Sequence, residues 1–258
     1  MSATAPALPA SLDYPRLKLL AVGDLGVGKS CLIKRYCEGR FIGKYIPTIG
    51  IDFGVKKTEV NRAAVLQARG TGGGEATASH IPAAVRVNFW DGSGDDDYRE
   101  IRNEFYEAAQ GVLLLYDVRN AQSFADLQKW WAELVQYCAG MDDVASTGGG
   151  AAVAGKRASV TSTTAAGKAV GRTDGKAPVV VLCANKVDDT ASTQSTGGGA
   201  AAAAAGAPPR PRVVTEEQGR AWAREHGCAA YYETSASTEK NVKEAIDDLV
   251  VRVVAKFM

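Results

Sequence analysis

No two cysteines in this sequence stand at C-x-x-C spacing, no apolar run reaches the length of a membrane span, and charge of neither sign dominates. The five cysteines (Cys31, Cys37, Cys138, Cys183 and Cys228) are odd in number and unpaired in spacing. They read as reduced core or helix residues, not as a disulfide or zinc framework. A bilayer-crossing helix needs about 20 consecutive apolar residues, and none is present. A formal net charge of +1 gives no electrostatic case for nucleic acid or an anionic membrane. Residues 1–15 are rich in Ala and Pro without a basic-then-apolar order, so they read as a flexible tail and not as a signal peptide. Position 2 is Ser2, not a glycine to myristoylate, and Val253-Val254-Ala255-Lys256-Phe257-Met258 holds no cysteine to prenylate. The expectation is a cytoplasmic or nuclear protein without a direct lipid anchor, reaching membranes only through a partner.

What is present begins with Gly23-Asp24-Leu25-Gly26-Val27-Gly28-Lys29-Ser30, a match to Gly-x-x-x-x-Gly-Lys-[Ser/Thr]. The glycines let the backbone curl with its N–H groups turned inward, a nest for the α- and β-phosphates. Lys29 is placed to reach the β- and γ-phosphates, and the Ser30 hydroxyl to take one site on Mg²⁺. A helix opening near Lys29 adds the positive end of its dipole. The setting fits, because residues 17–22 read as a buried strand and 31–37 as the helix that follows.

Residues 51–61 alternate apolar and polar, like a strand with one exposed face. Residues 65–84 contain Gly70-Thr71-Gly72-Gly73-Gly74 and read as an enlarged hairpin loop before a partner strand at 85–90. The continuous apolar runs at 112–117 and 179–184 read as central parallel strands. Residues 123–138 read as one helix with Phe124, Leu127, Trp131, Leu134 and Val135 on one face. Of Trp130 and Trp131, one is expected buried and one half-buried. Helices are expected at 215–226 and from about Asn241, with a strand at 228–234 between them. Strand and helix alternate, which implies an α/β fold: a mostly parallel six-stranded sheet with helices on both faces and phosphate chemistry at the carboxyl ends of the strands. Stretches at about 66–82, 141–177 and 189–212 are dominated by Gly, Ala, Ser and Thr. They cannot bury enough apolar surface to offset their ordering entropy, and are expected as disordered inserts in a single domain over 16–258.

Four further stretches fall at strand ends or in the first long loop. Asp91-Gly92-Ser93-Gly94 offers Asp91 to hold Mg²⁺ through water and the Gly94 N–H to a γ-phosphate. In Asn185-Lys186-Val187-Asp188 a carboxylate can accept two parallel hydrogen bonds from guanine N1 and N2, which adenine cannot supply. Glu233-Thr234-Ser235-Ala236 ends another strand, and Thr48 lies in the first loop. Each alone is a weak signal, Asn-Lys-x-Asp being a common polar turn; five in this order are specific. An ATP-using enzyme is disfavoured by the Asn185–Asp188 turn and by the lack of a substrate domain.

With these residues in place, the chain resembles the small GTPases of the Ras superfamily, Rab-like branch. The resemblance rests on Thr48-Ile49-Gly50-Ile51-Asp52-Phe53 and Phe89-Trp90-Asp91. More narrowly, residues 29–38, Ile101-Arg102-Asn103-Glu104-Phe105-Tyr106, Cys183-Ala184-Asn185-Lys186 and Tyr232-Glu233-Thr234-Ser235-Ala236 resemble the RJL group, Rab-like proteins of which some carry a J domain.

The resemblance implies a P-loop NTPase G domain binding GTP or GDP with Mg²⁺. Gly23, Gly26, Val27, Gly28, Lys29, Ser30 and Cys31 would surround the phosphates, with Mg²⁺ held by Ser30, Thr48 and, through water, Asp91. Phe41 would edge against the guanine, and Asn185, Lys186, Asp188, Ser235 and Ala236 would hold it. Lys29, Thr48, Gly94 and Asp95 would serve catalysis. Loops around Thr48 and Gly94 would order on γ-phosphate and meet exchange factors and effectors, the latter through Phe53, Trp90 and Phe105. Some positions depart from the family. Asp95 replaces the usual water-orienting glutamine, Leu25 a small residue and Ser237 a base-stacking lysine, and no His-Pro-Asp J-domain signature occurs. The expected function is a Rab-like switch with very slow intrinsic hydrolysis; the alternative is a constitutively GTP-bound interaction module.

Overall fold

The two continuous apolar runs are neighbouring central strands in the computed structural model, which describes residues 14–70, 80–138, 140–141, 175–189 and 211–258. Among the described residues six strands, β1 (Arg16–Val22), β2 (Ile51–Glu59), β3 (Ala84–Gly92), β4 (Gly111–Asp117), β5 (Val179–Asn185) and β6 (Ala230–Thr234), form one sheet in the order β2-β3-β1-β4-β5-β6. Only the β2–β3 pair is antiparallel. The expected α/β architecture is therefore observed.

Strand side chains alternate between faces, and each central strand feeds two cores. Leu17, Leu19, Leu113, Leu115, Val181 and Cys183 join one; Leu20, Val22, Val112, Leu114, Val180 and Leu182 join the other. The first face is covered by α1 (Lys29–Glu38) and α7 (Val242–Phe257), the second by α5 (Leu127–Tyr137) and α6 (Glu216–Glu225). Thr215 and Gln218 close a capping box at the start of α6, which sets its first turn.

Three local expectations need correction. The stretch expected as an enlarged loop opens with a helix, α2 (Arg62–Arg69). The Asn61 side chain accepts the Ala64 N–H, Val65 is fully buried beside α7, and left-handed Gly70 ends the helix. Ile81, also assigned to that loop, is buried. The helix expected at 123–138 is two: α4 (Ala121–Ala125), capped by Asn120, and α5, divided at Asp126. Trp130 and Trp131 are both buried, because α5 lies flat on the second core. Most of the three low-complexity stretches, at 71–79, 142–174 and 190–210, lies outside the described residues, as does the tail at 1–13.

Candidate nucleotide-binding site

Turns leaving the carboxyl ends of β1, β3, β4, β5 and β6 converge on a cavity of about 610 Å³. β1 hands over to α1 through Gly23, whose φ of 140° suits glycine and where a Cβ would collide with the Leu115 main chain on β4. Gly26, Gly28, Lys29, Ser30 and Cys31 line the cavity. Gly23 stands behind it with Val27, whose side chain is buried in the first core. Lys29 is 6% exposed and donates to the carbonyls of Gly23 (2.7 Å) and Asp24 (2.9 Å). Burial lowers its pKa to about 8, with Asp91 and Asp24 opposing the shift.

Ser30 Oγ lies 3.0 Å from Thr48 Oγ1. Asp91, at the end of β3, is buried behind them, and burial raises its pKa against hydrogen bonding from Ser30 and the charge of Lys29. Among the described residues its Oδ1 has no hydrogen-bond partner. Two hydroxyls and a carboxylate with a free buried oxygen fit Mg²⁺, a hard cation that retains waters and takes phosphate oxygens. Among the described residues no cluster of three His, Cys, Asp or Glu side chains offers another metal site.

The opposite end is built by β5 and β6. Asn185 donates from Nδ2 to the Val27 carbonyl (2.8 Å) and accepts the Thr234 hydroxyl at Oδ1 (3.1 Å), joining three loops through one amide. Lys186 follows with a left-handed φ of 67° and pairs through Nζ with Asp117 at 2.8 Å. Asp188 and Ala236 line the cavity, whereas Ser235 is buried behind it, its Oγ accepting the Thr238 N–H. Phe41 lines the cavity from the first loop.

Gly94 reaches the wall, pressed so closely on the Asp24–Leu25 peptide that a Cβ would collide with it. Asp95 does not line the cavity. Its carboxylate accepts the Asp97 N–H at 3.1 Å, capping a 3₁₀ turn at Asp96–Tyr98. Leu25 lines the cavity and is exposed. The rings of Phe53, Trp90 and Phe105 form a row, with centroids 4.9 and 4.7 Å apart.

Sequence reasoning missed Arg119 and Lys34 in the lining, Asp117 beneath Lys186, and Arg35, which ties α1 to the carbonyls of Ala236 and Ser237. Asp117 and Arg119 had a signal available, since they too follow the end of a parallel strand.

Phosphate loop, Asn-Lys-x-Asp turn and this strand order define a Ras-type G domain. The chain belongs to the Ras family of small GTPases, whose model matches residues 18–148 and 153–255. It is similar to DnaJ homolog subfamily C member 27 of Gallus gallus, 32% identical over 247 residues, 95% of this chain and 63% of the relative. The Bos taurus protein of that name is 32% identical over 239 residues (93% and 62%), and the Homo sapiens protein 31% over 239 residues (93% and 62%). The chain thus spans less than two thirds of the length of these relatives. They are Rab-like RJL GTPases, and the resemblance drawn from the sequence holds. Members of the Ras family bind GTP and GDP with Mg²⁺ and engage effectors and exchange factors. Among the described residues no helix is long and apolar enough to cross a membrane.

Proposed function

We propose that this chain is a Rab-like molecular switch that binds GTP and GDP with Mg²⁺ and hydrolyses GTP very slowly on its own. The observation that carries the reading is one cavity with Lys29 and Ser30 at one end and Asp188 at the other. The phosphates would lie on the loop from Gly23 to Cys31, with Lys29 neutralising charge on the β- and γ-phosphates. Ser30, Thr48 and Asp91 would hold Mg²⁺, which would supply neutralisation of the charge on the phosphates. Asn185, Lys186, Asp188, Ser235 and Ala236 would hold guanine, with Phe41 at its edge. Thr48 and the Gly94 N–H would sense the γ-phosphate. The row Phe53–Trp90–Phe105 would present an effector surface.

A second reading, a GTP-bound interaction module that scarcely turns over, draws on Asp95, whose carboxylate caps a turn outside the cavity. Nucleotide affinity together with single-turnover GTP hydrolysis on purified protein tests both. Guanine selectivity with measurable turnover supports the switch; tight GTP binding with none supports the module. Equal affinity for ATP and GTP sinks both.

A further inference from the structure

Arg102, in the short helix α3 (Arg99–Asn103), is 2% exposed, and its guanidinium is committed in two directions. Nε and Nη2 donate to Glu133 Oε2 (3.1 Å) and Oε1 (2.9 Å), a bidentate pair inside the protein. Tyr106 donates to Glu133 Oε2 at 2.8 Å, and Arg99 approaches Oε1 at 3.5 Å from the surface. The remaining nitrogen, Nη1, donates to the carbonyls of Ser93 (2.8 Å) and Asp95 (3.0 Å), the two residues flanking Gly94.

One turn before Glu133 on α5, the Trp130 indole N–H donates to Asp24 Oδ1 at 2.7 Å, and the Arg102 guanidinium lies 4.4 Å from the Trp130 ring centre. Residues three apart share a helix face. Trp130 and Glu133 therefore hold both walls of the slot, the phosphate loop at Asp24 and the Gly94 loop through Arg102. The close seat of Gly94 on the Asp24–Leu25 peptide agrees with this double anchorage.

We propose that Arg102 and Glu133 are positioning residues that hold the Gly94 peptide against the phosphate loop and thereby favour nucleotides carrying a γ-phosphate. The inference rests on the guanine-nucleotide reading above. A segment already fixed by buried hydrogen bonds loses little further conformational entropy when its N–H meets a ligand. GDP has no group at that position and gains nothing from the clamp.

The test is competition binding of GDP and GTPγS, with Mg²⁺, to the full chain and three variants. Glu133→Gln keeps the shape and removes the charge; Arg102→Lys keeps the charge and removes the fork. Removing one partner of a buried pair strands the other, so the double variant Arg102→Met/Glu133→Leu guards against misfolding. The expected result is a fall of about tenfold in GTPγS affinity relative to GDP, within the usual range of coupling between sites. GDP affinity should stay within about twofold. An unchanged ratio in the folded double variant, or equal losses for both nucleotides, overturns the inference while leaving the switch reading intact. Failure of the unmodified chain to bind either nucleotide removes the switch reading and this inference together.

Discussion

The Ser237 hydroxyl donates to Asp188 Oδ2 at 2.6 Å, at the end of the cavity assigned to the base. Burial opposes the charge on Asp188, but hydrogen bonds from Ser235 and Ser237 outweigh it and hold the carboxyl below its ordinary range. It is therefore ionised at neutral pH and can accept two N–H groups. Each charge-assisted bond contributes about 1.5–3 kcal/mol. Asp188→Asn should weaken GTP binding by about tenfold or more and improve binding of xanthosine triphosphate. Competition titrations with the two nucleotides check this; unchanged GTP affinity would contradict it.

Intrinsic hydrolysis should be slower than in Rab-like GTPases that carry the glutamine. A glutamine amide both donates and accepts, whereas a carboxylate has no N–H to donate, and Asp95 does not line the cavity but accepts the Asp97 N–H in the turn it caps. Losing one positioned group typically costs about 10²–10³ in rate. Against about 10⁻⁴ s⁻¹ for an intact relative, this implies single turnovers slower than hours. Asp95→Gln should restore little while Leu25 stands at the cavity, and more beside Leu25→Gly. Unaided hydrolysis at the ordinary rate, measured by phosphate release, would refute the expectation.

Lys18 gives a pH signature. Its Nζ donates to the Glu107 carbonyl at 2.7 Å and lies 5.5 Å from the Trp90 ring centre. Burial lowers its pKa to about 8, with Glu107 and Cys138 pulling the other way. In the unfolded chain a lysine titrates near 10.4. Between these values the unfolded state binds more protons, so stability should rise with pH across the window. Below about 8 the burial penalty is fully present; above about 10.4 it is gone. Lys18→Met removes this dependence. The unmodified protein should gain about 2 kcal/mol on that variant between pH 7.5 and 10. Urea unfolding at both pH values reads the difference, and a constant gap would exclude the mechanism.

Helix α2 should contribute to stability. Val65 is fully buried in the first core alongside α7, and Arg69 donates to the Ala255 carbonyl on α7. Val65→Ala removes two buried carbons and leaves a small cavity, a loss of about 2 kcal/mol. Nucleotide affinity should not change. Denaturant unfolding with and without GDP separates the two effects.

The central strands and the phosphate loop were legible because their signals are local. An unbroken apolar run marks a strand covered on both faces, and a glycine-spaced turn marks an anion nest. Helix α2 escaped because the glycines after Arg69 drew the whole stretch into a loop, although Ala63, Ala64, Leu66 and Gln67 favour helix. The misjudged burial of Trp130 and Trp131 reflects tertiary packing, which helical period does not encode. Glu133 and Arg102 lie 31 residues apart, and no local pattern announces that they meet. At Asp95 the residue type was readable, but the direction of its carboxylate was set by the turn it caps.

The geometry of the sheet sorts the chain into quiet and responsive places for a reporter. The described residues on either side of 71–79 and of 142–174 lead into the amino ends of β3 and β5, away from the cavity. Residues 190–210 begin just beyond Asp188, which lines the cavity. A fluorescent domain spliced into either of the first two stretches is expected to leave nucleotide affinity unchanged, which titration with GDP reads. The third stretch leaves the described chain next to Asp188, so a domain spliced there is expected to change brightness as nucleotide arrives, and unchanged brightness on adding GDP would contradict this. One scaffold would then supply both a tracking label and a nucleotide sensor, distinguished only by which crossing of the sheet carries the graft.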